Sequence, residues 1–428
     1  MNCKNNIRRH LFTGILIVLF APMLFMQLSF IKIMPLKGAI VKVEKPEISA
    51  MNWFSESYQV KIEKYLNQNF GFRNFFVRLN NQLKYSFFTK AQAKGVIVGK
   101  ENYLFEKSYI DAYYARDFLG KESIKGQMQK LRIIQDSLST KGIDIVLVFA
   151  PGKASFYPEY IPNDYDTIRT ITNHQYFVEQ AKLEGINFID FSSWFVHMKD
   201  TSTYCLFPKT GIHWSYYGMN LATDSLITYV ESIKDIDLPD FLWENIEMKE
   251  NLFGVDTDIE EGMNLLFPIS NFAMPYPVIN IVEENKVKPK TIVIADSFYW
   301  QLHNAGYSKS VFDAEFWFYF NKIYPPRNPI NTSVKDLNLL NEVYQSDLII
   351  LLCTEPFLKR KFWGFVDECY TQILDGDSKS REIELIISRI LSSDEWTENI
   401  KKKAIEKNIE FEEMLQLDAE YIYQNKSN

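Results

Sequence analysis

The chain is expected to fold as a three-layer α/β domain on a mainly parallel sheet, preceded by one N-terminal transmembrane helix. Three observations predict this. Short apolar runs recur at 95–99 (GVIVG), 143–151 (IDIVLVFAP), 186–191 (INFIDF), 276–284 (YPVINIVEE), 291–297 (TIVIADS) and 347–355 (DLIILLCTE). Several are almost continuously apolar, as in strands covered on both faces. Amphipathic stretches of helical length lie between them, such as 123–142, closed by Gly142, and 215–235; strands alternating with helices build parallel sheets. Near the start, residues 11–31 (LFTGILIVLFAPMLFMQLSFI) carry no charge, and as a helix they would span about 30 Å, the thickness of a bilayer's hydrocarbon core.

The elements follow in order. Lys4, Arg8 and Arg9 precede the apolar run and form the cytoplasmic end, residues 1–10. The run is longer than the apolar part of a cleaved signal and no A-x-A site follows, so 11–31 reads as a membrane anchor. Lys32, Lys37 and Lys42 balance the upstream positives, and the large remainder is placed outside the cytoplasm because no second span exists. Residues 32–90 form a juxtamembrane linker and helices, with aromatics at three-to-four spacing and a break near Gly71. The α/β domain covers 91–379, and a charged, strand-free helical extension covers 380–428.

Composition narrows the function. Lys plus Arg number 47 against 54 Asp plus Glu, a net charge of −7, without the basic excess of a nucleic-acid binder. Four cysteines lack CxxC spacing, and five histidines are scattered without HExxH, so no metal centre or disulfide framework is expected. GVIVGK at 95–100 has one residue too few between its glycines for a phosphate loop, and no serine lies in G-x-S-x-G. The sequons at Asn331 and Asn425 matter only in a glycosylating host.

In parallel sheets ligands gather beyond the carboxyl ends of the strands. The residues there are Pro151 to Ser155, Asp190, Asp296 to Phe298, and Thr354 to Glu355. TIVIADSFYW ends a strand in Asp296-Ser297, where the serine is a nucleophile or simply a helix cap. FPKTGIHWSYYG offers His213, a base of suitable pKa or a structural histidine beside Trp214.

These motifs, together with NFGFRNFFVRLNN, VIVGKENYLFEK and VFAPGKASFYPEYIP, resemble the SGNH-hydrolase-like proteins of the alginate O-acetyltransferase (AlgX/AlgJ) superfamily over residues 34 to 360. That family carries D-x-H-W ahead of G-D-S-F, and here too His213 precedes Ser297. The resemblance implies Ser297 as nucleophile and His213 as general base. The serine would take an acetyl group from a membrane-bound O-acyltransferase and pass it to a hydroxyl of an exported polysaccharide, with no cofactor. It places the chain in a bacterial inner membrane with its domain in the periplasm. Lys153, Tyr157, Trp214 and Tyr299 are the candidate substrate-binding residues. The aromatics of 299–326 (Tyr299, Trp300, Phe316, Trp317, Phe318, Tyr319, Phe320, Tyr324) would stack sugars or fill a core.

Two departures from the family stand out. Ala295 replaces a glycine, and Gly211 occupies the position of the orienting aspartate. Either another carboxylate substitutes, with Asp190 and Asp296 the candidates, or a Ser-His dyad works alone, or the site is dead and the protein is a scaffold or glycan-binding accessory subunit. A carbohydrate acetyl-esterase is the alternative chemistry.

Overall fold

The computed structural model describes residues 2–27, 34–38, 43–165, 168–329 and 332–426. The N-terminal part is helical: α1 (Asn2–Gln27), α2 (Ala50–Phe54), α3 (Ser57–Asn69) and α4 (Arg73–Phe88). α3 and α4 are separated at Gly71, as the composition suggests. No helix among the described residues is long and apolar enough to cross a membrane. Of the stretch 11–31 expected to do so, residues 28–31 lie outside the described residues, as does the sequon residue Asn331.

Ten strands follow: β1 (Val96–Val98), β2 (Leu104–Glu106), β3 (Asp144–Ala150), β4 (Phe188–Asp190), β5 (Asp240–Lys249), β6 (Met274–Val282), β7 (Thr291–Ala295), β8 (Ala314–Phe318), β9 (Lys322–Tyr324) and β10 (Leu348–Thr354). The central sheet has order β4-β3-β10-β7-β8-β9. Its pairs are parallel except β8–β9, so the sheet is mixed. β1–β2 and β5–β6 form separate antiparallel ribbons.

Two of the six expected strands, at 95–99 and 276–284, therefore leave the main sheet for ribbons. In their place the sheet takes β8 and β9, whose aromatic sequence reads from composition either as a core or as a binding platform. The physical reason is burial: Phe316 and Trp317 are fully enclosed and Phe320 nearly so, filling the layer that β8 needs to be covered.

The sheet's pleat separates two cores. Val146, Val148, Val293, Ile350 and Leu352 face one side, packed with Phe191, Trp214, Leu226 and Tyr299. Ile145, Leu147, Ile292, Ile294, Leu351 and Cys353 face the other, against Leu131, Phe177 and Val366. Alternate residues of each strand supply each face, as the two-residue period requires. A third, small core of Ile383, Ile390, Ile400, Met414 and Ala419 joins the C-terminal helices. The helix Phe365–Leu391 runs unbroken through residue 380, the expected start of that extension.

Candidate active site

β7 ends at Ala295, and the chain turns at once into Asp296-Ser297 before the helix Tyr299–Asn304. Asp296 holds that turn. Its Oδ2 accepts hydrogen bonds from the Thr354 N–H (2.7 Å) and hydroxyl (2.6 Å), and its Oδ1 accepts from the Phe298 N–H at 3.0 Å. The carboxyl is fully buried, and burial raises its pKa although these three donors oppose the shift. Every polar contact of Asp296 goes to the turn and to β10, so it sets the position of Ser297 rather than orienting the histidine.

His213 lies in the loop before the helix Tyr216–Lys234, whose N-cap Ser215 accepts from the Gly218 N–H at 2.9 Å. The adjacent Trp214 is buried against Phe298 and Phe195, fixing the loop. The Ser297 hydroxyl and His213 Nε2 are 3.0 Å apart. His213 Nδ1 is 2.5 Å from Asp258 Oδ2, while Asp258 Oδ1 accepts from the Ile212 N–H at 2.9 Å. Ser297, His213 and Asp258 thus form a complete hydroxyl–imidazole–carboxylate relay, with Nδ1 protonated and Nε2 free to take the serine proton. The Ser297 N–H has no partner among the described residues and is available to an oxyanion.

The acid comes from neither position that the sequence reading offered. Asp190, at the end of β4, bonds His174 Nε2 at 2.8 Å and caps the helix Phe191–Met198 through the Ser193 N–H. At Gly211 there is no room for a side chain. A Cβ there would lie 1.9 Å from the Val255 carbonyl oxygen, because the segment 254–258 passes through the space that a side chain would need. Thr210 Oγ1 donates to the Asp256 carbonyl and the Glu260 N–H donates to the Thr210 carbonyl, stitching the two segments together. Asp258 thereby reaches the imidazole from a different part of the chain. No spacing rule points to it, since it lies 45 residues after His213.

The four residues expected to bind substrate are all buried. Lys153 Nζ donates to the carbonyls of Lys209 (2.8 Å) and Gly211 (2.6 Å), holding the loop that leads to His213. Burial lowers its pKa to about 7 against the pull of Asp258 and Asp256. The Tyr157 hydroxyl donates to the Phe207 carbonyl, Tyr299 accepts from Ser308, and Trp214 is core. None presents a face to a sugar. Glu355, at the end of β10, accepts from the hydroxyls of Ser155 (2.5 Å) and Ser192 (2.6 Å), a buried tie between loops.

Tyr319, which the sequence offers only as a stacking or core aromatic, and Glu106, which it does not single out, stand beside the relay. The Tyr319 hydroxyl faces the Ser297 side chain, and burial raises its pKa, helped by the nearby charges of Asp296 and Glu106. Tyr319 has φ 53°, a left-handed conformation rare outside glycine and asparagine. Its N–H donates to the Ala295 carbonyl at 3.0 Å, and its ring stacks on Phe318. Glu106, at the end of β2, has its pKa raised by burial and by Asp258, partly offset by His213. No cluster of metal-binding side chains occurs among the described residues.

Comparison with known proteins bears on this site. Residues 96–242 match the family described as SGNH hydrolase-like domain, acetyltransferase AlgX. That range contains Lys153 and His213 and ends before Asp258 and Ser297. The probable alginate O-acetylase AlgJ of Pseudomonas aeruginosa is 25% identical over 177 residues, 41% of this chain and 43% of that protein. The chain thus spans less than half the length of this curated relative. Among solved structures, the O-acetyltransferase domain of Pseudomonas putida AlgJ aligns at 16% identity with a TM-score of 0.40, covering 64% of this chain and 99% of that one. Pseudomonas aeruginosa AlgX aligns at 14% identity with a TM-score of 0.41, over 64% and 67% of the two chains.

Proposed function

We propose that this chain, whose residues 96–242 match the family described as SGNH hydrolase-like domain, acetyltransferase AlgX, carries out O-acetyl transfer to a polysaccharide through an acetyl-Ser297 intermediate. The observation that carries this reading is the relay itself, with Ser297 Oγ 3.0 Å from His213 Nε2 and Asp258 2.5 Å behind the imidazole. In the first half-reaction Ser297 Oγ attacks the acetyl carbonyl carbon and its proton moves to His213 Nε2. The bond to the donor's leaving group breaks, and that group departs with the proton from His213. In the second half-reaction a sugar hydroxyl gives its proton to His213 Nε2 as its oxygen attacks the acetyl-serine. Ser297 Oγ leaves and recovers the proton. Asp258 holds the tautomer and stabilises the imidazolium in both halves. The Ser297 N–H and the Tyr319 hydroxyl are the donors best placed for the developing oxyanion.

The exposed apolar side chains of α1, among them Leu11, Ile15, Val18 and Leu19, support a membrane anchor, and this reading places the domain on the extracytoplasmic side. A membrane-bound O-acyltransferase would then supply the acetyl group. A scaffold without catalysis loses its main support, because Gly211 does not leave the histidine without a carboxylate.

The test is to incubate the protein with a chromogenic acetyl ester and a panel of oligosaccharides. Mass spectrometry of the quenched reaction should find one acetyl group on Ser297, and acceptor should gain acetyl groups as donor is consumed. Donor consumption with acetate as the sole product would favour the esterase. No labelling of Ser297 and no turnover would remove the enzymatic reading.

A further inference from the structure

α4 is amphipathic in the inverse sense for a soluble protein. Asn74, Arg78, Asn81 and Gln82 share one face, at helical spacing. That polar face is turned toward the domain. Arg78 donates to the carbonyls of Leu265 (3.0 Å) and Pro35 (2.9 Å), Asn81 to that of Met263 (2.8 Å), and Gln82 accepts from the Phe267 N–H (3.1 Å). The apolar side chains Phe76, Leu83, Phe87 and Phe88 point outward, Phe87 being 75% exposed, and Phe54 of α2 is 85% exposed. A helix that spends its hydrogen-bonding face on its own domain and leaves aromatics outside requires an apolar phase beyond them.

Two further observations identify that phase. Residues 50–90 hold six basic residues (Lys61, Lys64, Arg73, Arg78, Lys84, Lys90) against Glu56 and Glu63, in a chain whose net charge is −7. Basic residues interleaved with exposed aromatics match an anionic lipid surface. Met34 and Pro35, which receive hydrogen bonds from Asn74 and Arg78, follow the end of apolar α1 at Gln27 by only seven and eight residues. Covalent geometry limits that separation to about 25 Å for seven residues. The chain therefore delivers α4 beside whatever medium receives α1.

We infer that α2 to α4 lie on the surface of an anionic lipid bilayer, their outward aromatics at the headgroup–acyl boundary. The surface is needed whether α1 crosses the bilayer or lies along it, and it is independent of the acyl-transfer reading. Its consequence is positional. α4 is bonded to residues 263–267, which directly follow the short helix Asp258–Met263 that carries the relay's carboxylate. The edge of the domain nearest the membrane is thus the edge that supplies the acid.

The test uses the full chain in vesicles of phosphatidylethanolamine and phosphatidylglycerol. Nitroxide labels are placed singly at Phe76→Cys, Leu83→Cys and Phe87→Cys, and at Lys402→Cys on the C-terminal helices as the aqueous reference, with Cys3 and Cys205 changed to Ser. The expected result is that collision with oxygen exceeds collision with a water-soluble nickel chelate at the three α4 positions, and that this ratio inverts at Lys402. Free access of the nickel chelate to the α4 labels would overturn the inference. So would exclusion of both reagents, which would mean that protein, not lipid, covers the face. Ser297 labelling by a soluble acetyl ester should proceed in either case, so the two readings fail separately.

Discussion

Two histidines of this chain each bond an aspartate, and of these two pairs the His213 one also reaches a hydroxyl. His213 and Asp258 are 2.5 Å apart at the end of β7, and His174 and Asp190 are 2.8 Å apart at the end of β4. Both pairs are largely shielded from water, both lie where strands end, and both link residues from different elements. They differ in the other imidazole nitrogen. That of His213 meets the Ser297 hydroxyl, whereas that of His174 meets no hydrogen-bond partner among the described residues; both aspartates also accept a backbone N–H, from Ile212 and Ser193. The comparison teaches that a histidine–carboxylate pair is as readily a structural clamp as a catalytic device. The third group decides.

The comparison can be broken most sharply by removing each acid in turn. Asp258→Asn should lower acetyl-transfer turnover by a factor on the order of 10⁴, the size seen when a serine-enzyme triad loses its carboxylate. Asp190→Asn should leave turnover almost unchanged. Steady-state rates with a chromogenic acetyl ester measure both, and equal losses in the two variants would dissolve the distinction drawn here.

Placing an acid at position 211 should not repair the first variant. In Gly211→Asp combined with Asp258→Asn, the new Cβ would collide with the Val255 carbonyl. Activity should stay at the level of Asp258→Asn or lower, and the midpoint of thermal unfolding should fall. Recovery of turnover would show that the segment 254–258 yields.

A smaller effect is expected from Tyr319→Phe. It keeps the ring stack on Phe318 but removes the hydroxyl that faces Ser297. Loss of one oxyanion donor costs on the order of 10² in turnover. An unchanged rate would assign Tyr319 to packing alone.

Asp190 and the buried Asp256 differ in their effect on stability, each with a definite pH signature. Asp190 is held below its ordinary pKa by His174, against burial, so its contribution is present above its unfolded value and fades as pH falls through the folded one. His174 is held above its ordinary pKa by Asp190 although burial opposes this, so its contribution is complete below the unfolded value and is lost as pH rises through the folded one. Asp190→Asn should therefore lower the unfolding midpoint most between these limits, near pH 5 to 6, and less at pH 8. Asp256 has the opposite sign. It is fully buried, neither carboxylate oxygen meets a donor at hydrogen-bond distance although the Tyr276 hydroxyl faces it, and burial raises its pKa to about 7. A raised carboxyl pKa removes stability as pH climbs from the unfolded value toward 7. Asp256→Asn should thus gain in unfolding midpoint, relative to the parent, between pH 5 and pH 8. A midpoint difference independent of pH would refute this assignment.

Much of the site was legible before the structure. The apolar runs at 143–151, 186–191, 291–297 and 347–355 become β3, β4, β7 and β10, because strands covered on both faces have few polar positions to disguise them. Ser297 and His213 stand in local motifs, so the sequence could nominate them as partners. β8 and β9 were hidden because an aromatic strand in a core and an aromatic platform on a surface have the same composition. Lys153 and Tyr157 were drawn toward substrate because a polar side chain after a strand reads as functional, whereas here each satisfies backbone carbonyls of the loop that carries His213 or of Phe207 beside it.

By itself, then, the sequence determined the layered α/β plan and nominated Ser297 and His213 as nucleophile and base, all of which rest on periodicity or on residues within a few positions of one another. Only the tertiary structure decided the acid, the tyrosine at the serine and the outward-facing aromatics of α4. Those depend on which distant segments touch. The 1.9 Å approach of the Val255 carbonyl to an imagined Cβ at Gly211 shows the reason in one place: whether a side chain is absent or has been replaced from afar is a question about occupied space, and a linear sequence carries no record of space.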